Sequence, residues 1–454
     1  MRGECHEVVV VGGGIAGLTA AWELRDRDVL LLEGSDRIGG RIRSEGRGEY
    51  WLNMGAHLFG GPETITGGLV EQLGLQTREV PGSRMGMAFG GKVVSTGPSF
   101  TYPLRLPLSL AARLSFARVG LRLRRSAKAY LRETEPRPDD TAMAARMRDL
   151  AYDGERSFAD FLGPTHPDVD AIFRAIIGRV SATPEEVAAG YGAALFGLVW
   201  GAKDQLARNL VGGSALLPEA MARRLGNRVA MGAPVHEVSL CPGGRHVRYT
   251  MAGREHVARA RYVVAATPAY VTRRIVPDLP EDTAAALDGI TYGPFVCASI
   301  LTAESGSMPW DDIYAMVVVG RSFNMFFNHA NVLREPGVRR PGGSLMVYGG
   351  GAFGRRLFDE TDEAVRDIFL RDLFDLFPEA RGVVREVVIV RWSHGLAFAP
   401  PGRYRLQPAL EKPLPNLFLA GDYLQWAHME AAAKSGQDVA RQIREALSAV
   451  GAKR

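Results

Sequence analysis

Near the N-terminus a run of small residues, Gly12-Gly13-Gly14-Ile15-Ala16-Gly17, follows directly on four valines, Val8 to Val11. The spacing Gly12-x-Gly14-x-x-Gly17 has a chemical use. A glycine at 12 permits a tight turn, one at 14 lets a phosphate approach the backbone, and one at 17 lets a helix pack onto a strand. The free N–H groups and positive dipole end of such a helix attract phosphate. Glu33 closes the next apolar run, Val29-Leu30-Leu31-Leu32, where it can accept hydrogen bonds from a ribose hydroxyl. A glycine turn alone says little. Here strand, turn, helix, strand and acidic residue follow in register. That points to a dinucleotide site built by Gly12, Gly14, Ile15, Ala16, Gly17 and Glu33.

These residues need a scaffold. Val8 to Val11 read as a strand buried on both faces, as in a parallel sheet, and Leu18 to Leu24 have helical composition. Further segments lie far along the chain. Gly212-Gly213-Ser214 precedes Leu216 to Met221 and then Val235. Val263 to Pro268 read as a buried strand and turn. Asn416 to Asp422 form an apolar strand closing on Gly421-Asp422. Met429 then opens a helix that runs through Ile443.

Between these lies Arg37-Ile38-Gly39-Gly40-Arg41-Ile42-Arg43-Ser44, directly after Glu33. With the C-terminal segments, it makes the sequence resemble the flavin-containing amine oxidase superfamily, its protoporphyrinogen oxidase and carotenoid-squalene desaturase branch above all. The resemblance implies FAD, held non-covalently since no cysteine lies near Trp392. It sets Gly40 and Arg41 against the phosphates and ribityl chain, and Gly55, Ala56 and His57 beneath the isoalloxazine. Asn53 stands where the family usually has aspartate. The resemblance also implies that the Val235 backbone touches the adenine. Gly421 and Asp422 would meet the ribityl or pyrophosphate side, and the Met429 backbone the flavin pyrimidine edge. Trp392 would lie near the ring.

Departures from the family bear on the reaction. His428 occupies a position that is often a tyrosine of an aromatic cage. Amine oxidases of the family carry a lysine that holds a water against the flavin. Cys297 takes its place in Tyr292-Gly293-Pro294-Phe295-Val296-Cys297-Ala298, and no lysine occurs from 290 to 301. His428, Trp392 and His57 are the candidates for chemistry, with His394 beside them; a structural histidine is the alternative at each.

The signatures lie at both ends and in the middle, so the expected fold is α/β. A discontinuous Rossmann-like FAD domain at 1–85, 205–275 and 390–454 is joined to an α+β substrate domain. The latter has a helical part within 86–204 and a sheet part within 276–389. Its sheet would include Tyr292 to Leu301 and Ser344 to Tyr348, with a helix from Thr361 to Phe377.

The chain of 454 residues suggests about two to three domains. Three widely spaced cysteines argue against a disulfide framework and for a reducing compartment. No paired Cys or His spacing suggests a metal site. The N-terminus lacks a signal-peptide pattern, and Ala188 to Trp200 is too short to span a bilayer. A cytoplasmic protein is expected. A net charge of +5 does not call for nucleic acid. From Arg105 to Arg132 there are eight Lys/Arg and no Asp/Glu. Phe116, Val119, Leu123, Ala127 and Tyr130 share one helical face, and Arg118, Arg122, Arg125, Lys128 and Arg132 the other. A peripheral membrane contact is one reading; a solvated face packed on its own domain is the favoured one. No pattern speaks to an oligomeric state.

The function expected is hydride removal from a C–H bond of a largely apolar small molecule, with O2 or another acceptor taking the electrons. Alternatives are an amine or amino-acid oxidase releasing an imine and hydrogen peroxide, and a flavin-bound scaffold without catalysis.

Overall fold

Val8, Val9 and Val10 have no solvent exposure. A strand with β-branched side chains on both faces needs cover on both, and the computed structural model provides it. The structure describes residues 4–82, 86–200, 208–333, 338, 340–425 and 427–451. It is an α/β fold on two seven-stranded sheets.

In the first sheet, Glu4–Val11 runs parallel to Val29–Leu32 on one side and to Arg254–Ala265 on the other. Leu417–Leu419 adds to Arg254–Ala265, also parallel. Val235–Cys241 and Gly244–Met251 extend the sheet antiparallel. Four parallel strands therefore end at one edge, at Gly12, Glu33, Ala266 and Gly421. Ligands of open α/β sheets bind at such carboxyl ends. The helices Ile15–Glu23 and Met429–Gly451 pack together over one face. Gly436 allows this, since a Cβ there would stand 2.1 Å from the Ala16 carbonyl oxygen.

The second sheet has the order Val384–Ala397, Tyr292–Thr302, Gly343–Gly350, Met325–Asn328, Ala315–Val318, Gly86–Phe89, Lys92–Val94. Side chains alternate along Tyr292–Thr302, as the period of two requires. Val296, Ala298 and Ile300 pack under the helix Asp362–Leu376 through Val365, Phe369 and Leu373. Cys297 and Phe295 face the other way, toward a core shared with the helices Leu110–Glu133, Pro167–Ile177 and Ala189–Trp200.

One expected boundary needs correction. Val384–Ala397 pairs with Tyr292–Thr302 along its length, with Trp392 opposite Phe295. The division at 389/390 therefore falls inside a strand of the second sheet, because the apolar run Val387 to Val390 gives no break there. The division at 204/205 lies outside the described residues.

Candidate functional site

Gly12 has a φ of +108°, and a Cβ there would stand 2.8 Å from the Ala266 carbonyl oxygen. At Gly17 a Cβ would lie 2.0 Å from the Gly12 carbonyl oxygen. At Gly14 it would meet nothing within 4 Å. The turn is thus closed toward the protein at 12 and 17 and open at 14. Gly14 starts the helix without a side-chain cap. Ile15 and Ala16 bury their side chains, which leaves their backbone to a ligand. Glu33 Oε2 accepts from Gly13 N at 2.6 Å, and Oε1 accepts from Ser35 N at 2.9 Å and Ser35 Oγ at 2.7 Å. Ala233 N donates to the Glu33 carbonyl at 2.8 Å, which brings Val235 alongside. Gly39 N donates to the Gly13 carbonyl at 2.9 Å, so Gly40 folds over the turn; its would-be Cβ meets only Gly14 Cα, at 3.4 Å.

The two ends of the chain meet next to this turn. Arg41 Nη2 donates to Asp422 Oδ1 at 2.5 Å, and Arg41 Nη1 to the Gly395 carbonyl at 3.2 Å. Burial alone would lower the Arg41 pKa, but the charge and hydrogen bond of Asp422 raise it above its ordinary value. Gly421 N donates to Ser435 Oγ at 2.9 Å, and Ser435 Oγ to the Ala432 carbonyl at 2.6 Å. The Glu430 carboxylate accepts from Ile65 N and Thr66 N, at 2.5 and 3.0 Å, at the start of the helix Ile65–Gln72. Met429 is therefore held from both sides. Ser435, Gly436 and Glu430 belong to the recognisable C-terminal stretch, yet their structural roles had no sequence signal.

His428 Nδ1 accepts from Ala431 N at 3.1 Å, capping the C-terminal helix. That bond places the ring proton on Nε2. Burial lowers the His428 pKa, opposed by Glu430 and Asp422.

The segment below these groups is tightly bound. A Cβ at Gly55 would lie 2.2 Å from the Arg41 carbonyl oxygen, and Ala56 N donates to that carbonyl at 3.1 Å. Trp392 Nε1 donates to the Met54 carbonyl at 2.7 Å, fixing the indole. Asn53 Nδ2 pairs with His329 Nδ1 at 3.0 Å, while Asn53 Oδ1 accepts from Ser214 N at 3.4 Å. An amide can do both; a carboxylate only accepts. His57 Nδ1 donates to the Gly55 carbonyl at 2.9 Å. Its ring lies 4.5 Å from the His329 ring at a tilt of 57° and meets Phe327 edge-on at 4.8 Å. Burial brings His57 down to about 4 and His329 well below its ordinary value. His394 is exposed and stacked on Tyr270 at 4.0 Å.

Cys297 stands opposite Tyr348 and Val390 in register. Burial pushes its thiol up to about 12, so it stays protonated. Phe295 and Phe327 flank Tyr348, with ring centroids at 5.2 and 5.9 Å. Met325 and Met346 join the same apolar core.

This assembly of glycine turn, acidic residue and both chain ends has a counterpart in known sequences. The model of the flavin-containing amine oxidoreductase family matches residues 15–444. The chain belongs to that family. Among curated members, flavin-containing amine oxidase A of Bos taurus is 24% identical over 99% of this chain and 87% of its own. Coproporphyrinogen III oxidase of Propionibacterium freudenreichii is 32% identical over 39% of this chain and 33% of its own. Among solved structures, putrescine oxidase bound to putrescine has a TM-score of 0.77 at 20% identity, covering 97% of this chain and 99% of that one. Cyclohexylamine oxidase from Brevibacterium oxydans has 0.76 at 21%, covering 98% and 99%. This member of the flavin-containing amine oxidoreductases is an FAD-dependent oxidoreductase. The open face at Gly14, the uncapped helix start and the Arg41–Asp422 pair fit such a cofactor.

Proposed function

We propose that this enzyme removes hydride from a C–H bond of a largely apolar small molecule, forming C=C or C=N. FAD, when bound, accepts that hydride, and O2 or another acceptor takes the electrons afterwards. The observation that carries the reading is the Cys297 wall. A protonated thiol packed among Phe295, Phe327, Met346 and Tyr348 puts an apolar, uncharged group at this position and gives an amine no charged partner there.

In this reading Gly12, Gly14, Ile15, Ala16 and Gly17 hold the pyrophosphate, Glu33 the ribose and Val235 the adenine. Gly40, Arg41, Gly421 and Asp422 hold the phosphate and ribityl side. Gly55, Ala56 and the Met429 backbone frame the ring, and the helix start at Met429 favours negative charge there. Trp392 forms a fixed flat wall. His428 is a neutral donor through Nε2 and orients the substrate. His57, donating through Nδ1, keeps an unprotonated Nε2 at neutral pH. That nitrogen takes the proton which must leave the substrate with the hydride when C=C forms. Cys5, Cys241 and Cys297 all lie outside the stretch from Trp392 to Met429, which supports non-covalent binding.

A second reading is favoured by relatives named amine oxidase A and L-amino-acid oxidase: oxidation of an amine to an imine, with hydrogen peroxide released. Product analysis under air separates the two. Loss of two hydrogens from an amine-free substrate supports the first. Ammonia and a carbonyl product formed only from amines would replace it with the second.

A further inference from the structure

The helix Leu110–Glu133 buries Val119, Leu123 and Ala127, as its periodicity requires. Its outer side is unusual. Leu110, Leu114 and Leu121 lie there in one line, since spacings of four and seven residues return to the same helix face. Phe100 and Leu104, in the turn that leads into the helix, are exposed with them. All five are 57–74% exposed. Beside this stripe stand Arg124, Arg125 and Lys128, all exposed. Arg118 and Arg122 lean back onto the Pro164 and Leu162 carbonyls. Among the described residues, no ion pair holds Arg124, Arg125 or Lys128.

Single exposed leucines need no explanation, but an aligned set within a purely cationic border marks a contact surface. A second copy would bring like charges together across a twofold axis. An anionic lipid surface complements both features: the leucines and Phe100 enter the acyl boundary, and the arginines meet the headgroups. Among the described residues no helix is long and apolar enough to cross a membrane, so the contact lies in the interface plane. The helix packs against Ala189–Trp200, whose Tyr191 lies near the Asp422 carboxylate. The face is thus one helix removed from the flavin site.

We propose that the Leu110–Glu133 helix and the Phe100–Leu104 turn dock this enzyme onto an anionic lipid surface. The test is flotation of the FAD-loaded full chain with vesicles of phosphatidylcholine alone, and with vesicles containing about one-quarter phosphatidylglycerol. Retention on the anionic vesicles should exceed that on neutral ones at least about tenfold and fall with added salt. Leu110→Ser/Leu114→Ser/Leu121→Ser should lower it at least about tenfold, and so should Arg124→Ser/Arg125→Ser/Lys128→Ser, with the flavin spectrum unchanged. Equal retention on both vesicle types overturns the proposal, as does wild-type retention by the leucine variant. So does a protein that ignores vesicles but is dimeric until the leucines are removed, which would assign the face to a second copy.

Discussion

Arg41 and Asp422 lie 381 positions apart in sequence and 2.5 Å apart in space. In the proposed site, this ion pair joins the two ends of the chain. Breaking a fully buried pair costs about 3–5 kcal/mol. Arg41 is 32% exposed, so a smaller loss, on the order of 2 kcal/mol, is expected. Arg41→Ala and Asp422→Ala should each weaken FAD at least about tenfold in calorimetric titration, and their effects should not add, since both break one contact. Additive losses would place the two residues in separate roles.

Gly436→Ala tests the joint between the first and last helices. The new methyl would press on the Ala16 carbonyl, a backbone atom that cannot turn aside. A loss of about 1–3 kcal/mol is expected in denaturant melts. FAD should be released at lower denaturant than in the wild type. An unchanged midpoint would show that the helices part easily.

His428 has a structural use that any good cap can replace. His428→Asn should keep the stability within a few tenths of a kcal/mol, whereas His428→Ala should lose about 1 kcal/mol. Turnover by His428→Asn should fall through KM more than kcat, because the ring orients substrate. A collapse of kcat with KM unchanged would make His428 a chemical group.

The pH dependence of stability follows from His57. The folded pKa is about 4, against about 6.5 for the unfolded chain. Between these values the unfolded chain binds a proton that the folded one does not. Stability is therefore full above about pH 6.5 and declines as pH falls toward 4, by up to about 1.4 kcal/mol per unit. His57→Gln should flatten that decline in denaturant midpoints taken across the window. Identical slopes would locate the proton elsewhere.

Much of this site was legible because backbone constraints leave traces in residue type. Gly12, Gly14 and Gly17 are read from spacing, since each is required by a turn, an open approach or a close packing. Glu33 is read from its place at a strand end. The partner of Arg41 was not legible, because nothing in a sequence links positions so far apart. His329 sits in the short segment His329–Leu333, where no periodicity points to it; only the folded chain brings it to Asn53, through a side-chain hydrogen bond. The FAD domain is expected to resume at 390, yet Val384–Ala397 runs unbroken through that point in the second sheet, because the apolar run Val387 to Val390 does not reveal which neighbour it pairs with. The period predicts the buried face of Leu110–Glu133, whereas the leucines among its arginines carry meaning through their exposure, which no period encodes.

The reaction itself is tested most directly by mixing the FAD-loaded enzyme with substrates in the absence of oxygen and following the oxidised flavin band. Amine-free apolar compounds with an activated C–H bond should bleach it within a single turnover. Bleaching by amines alone would contradict the account and make this chain an amine oxidase that works without the lysine.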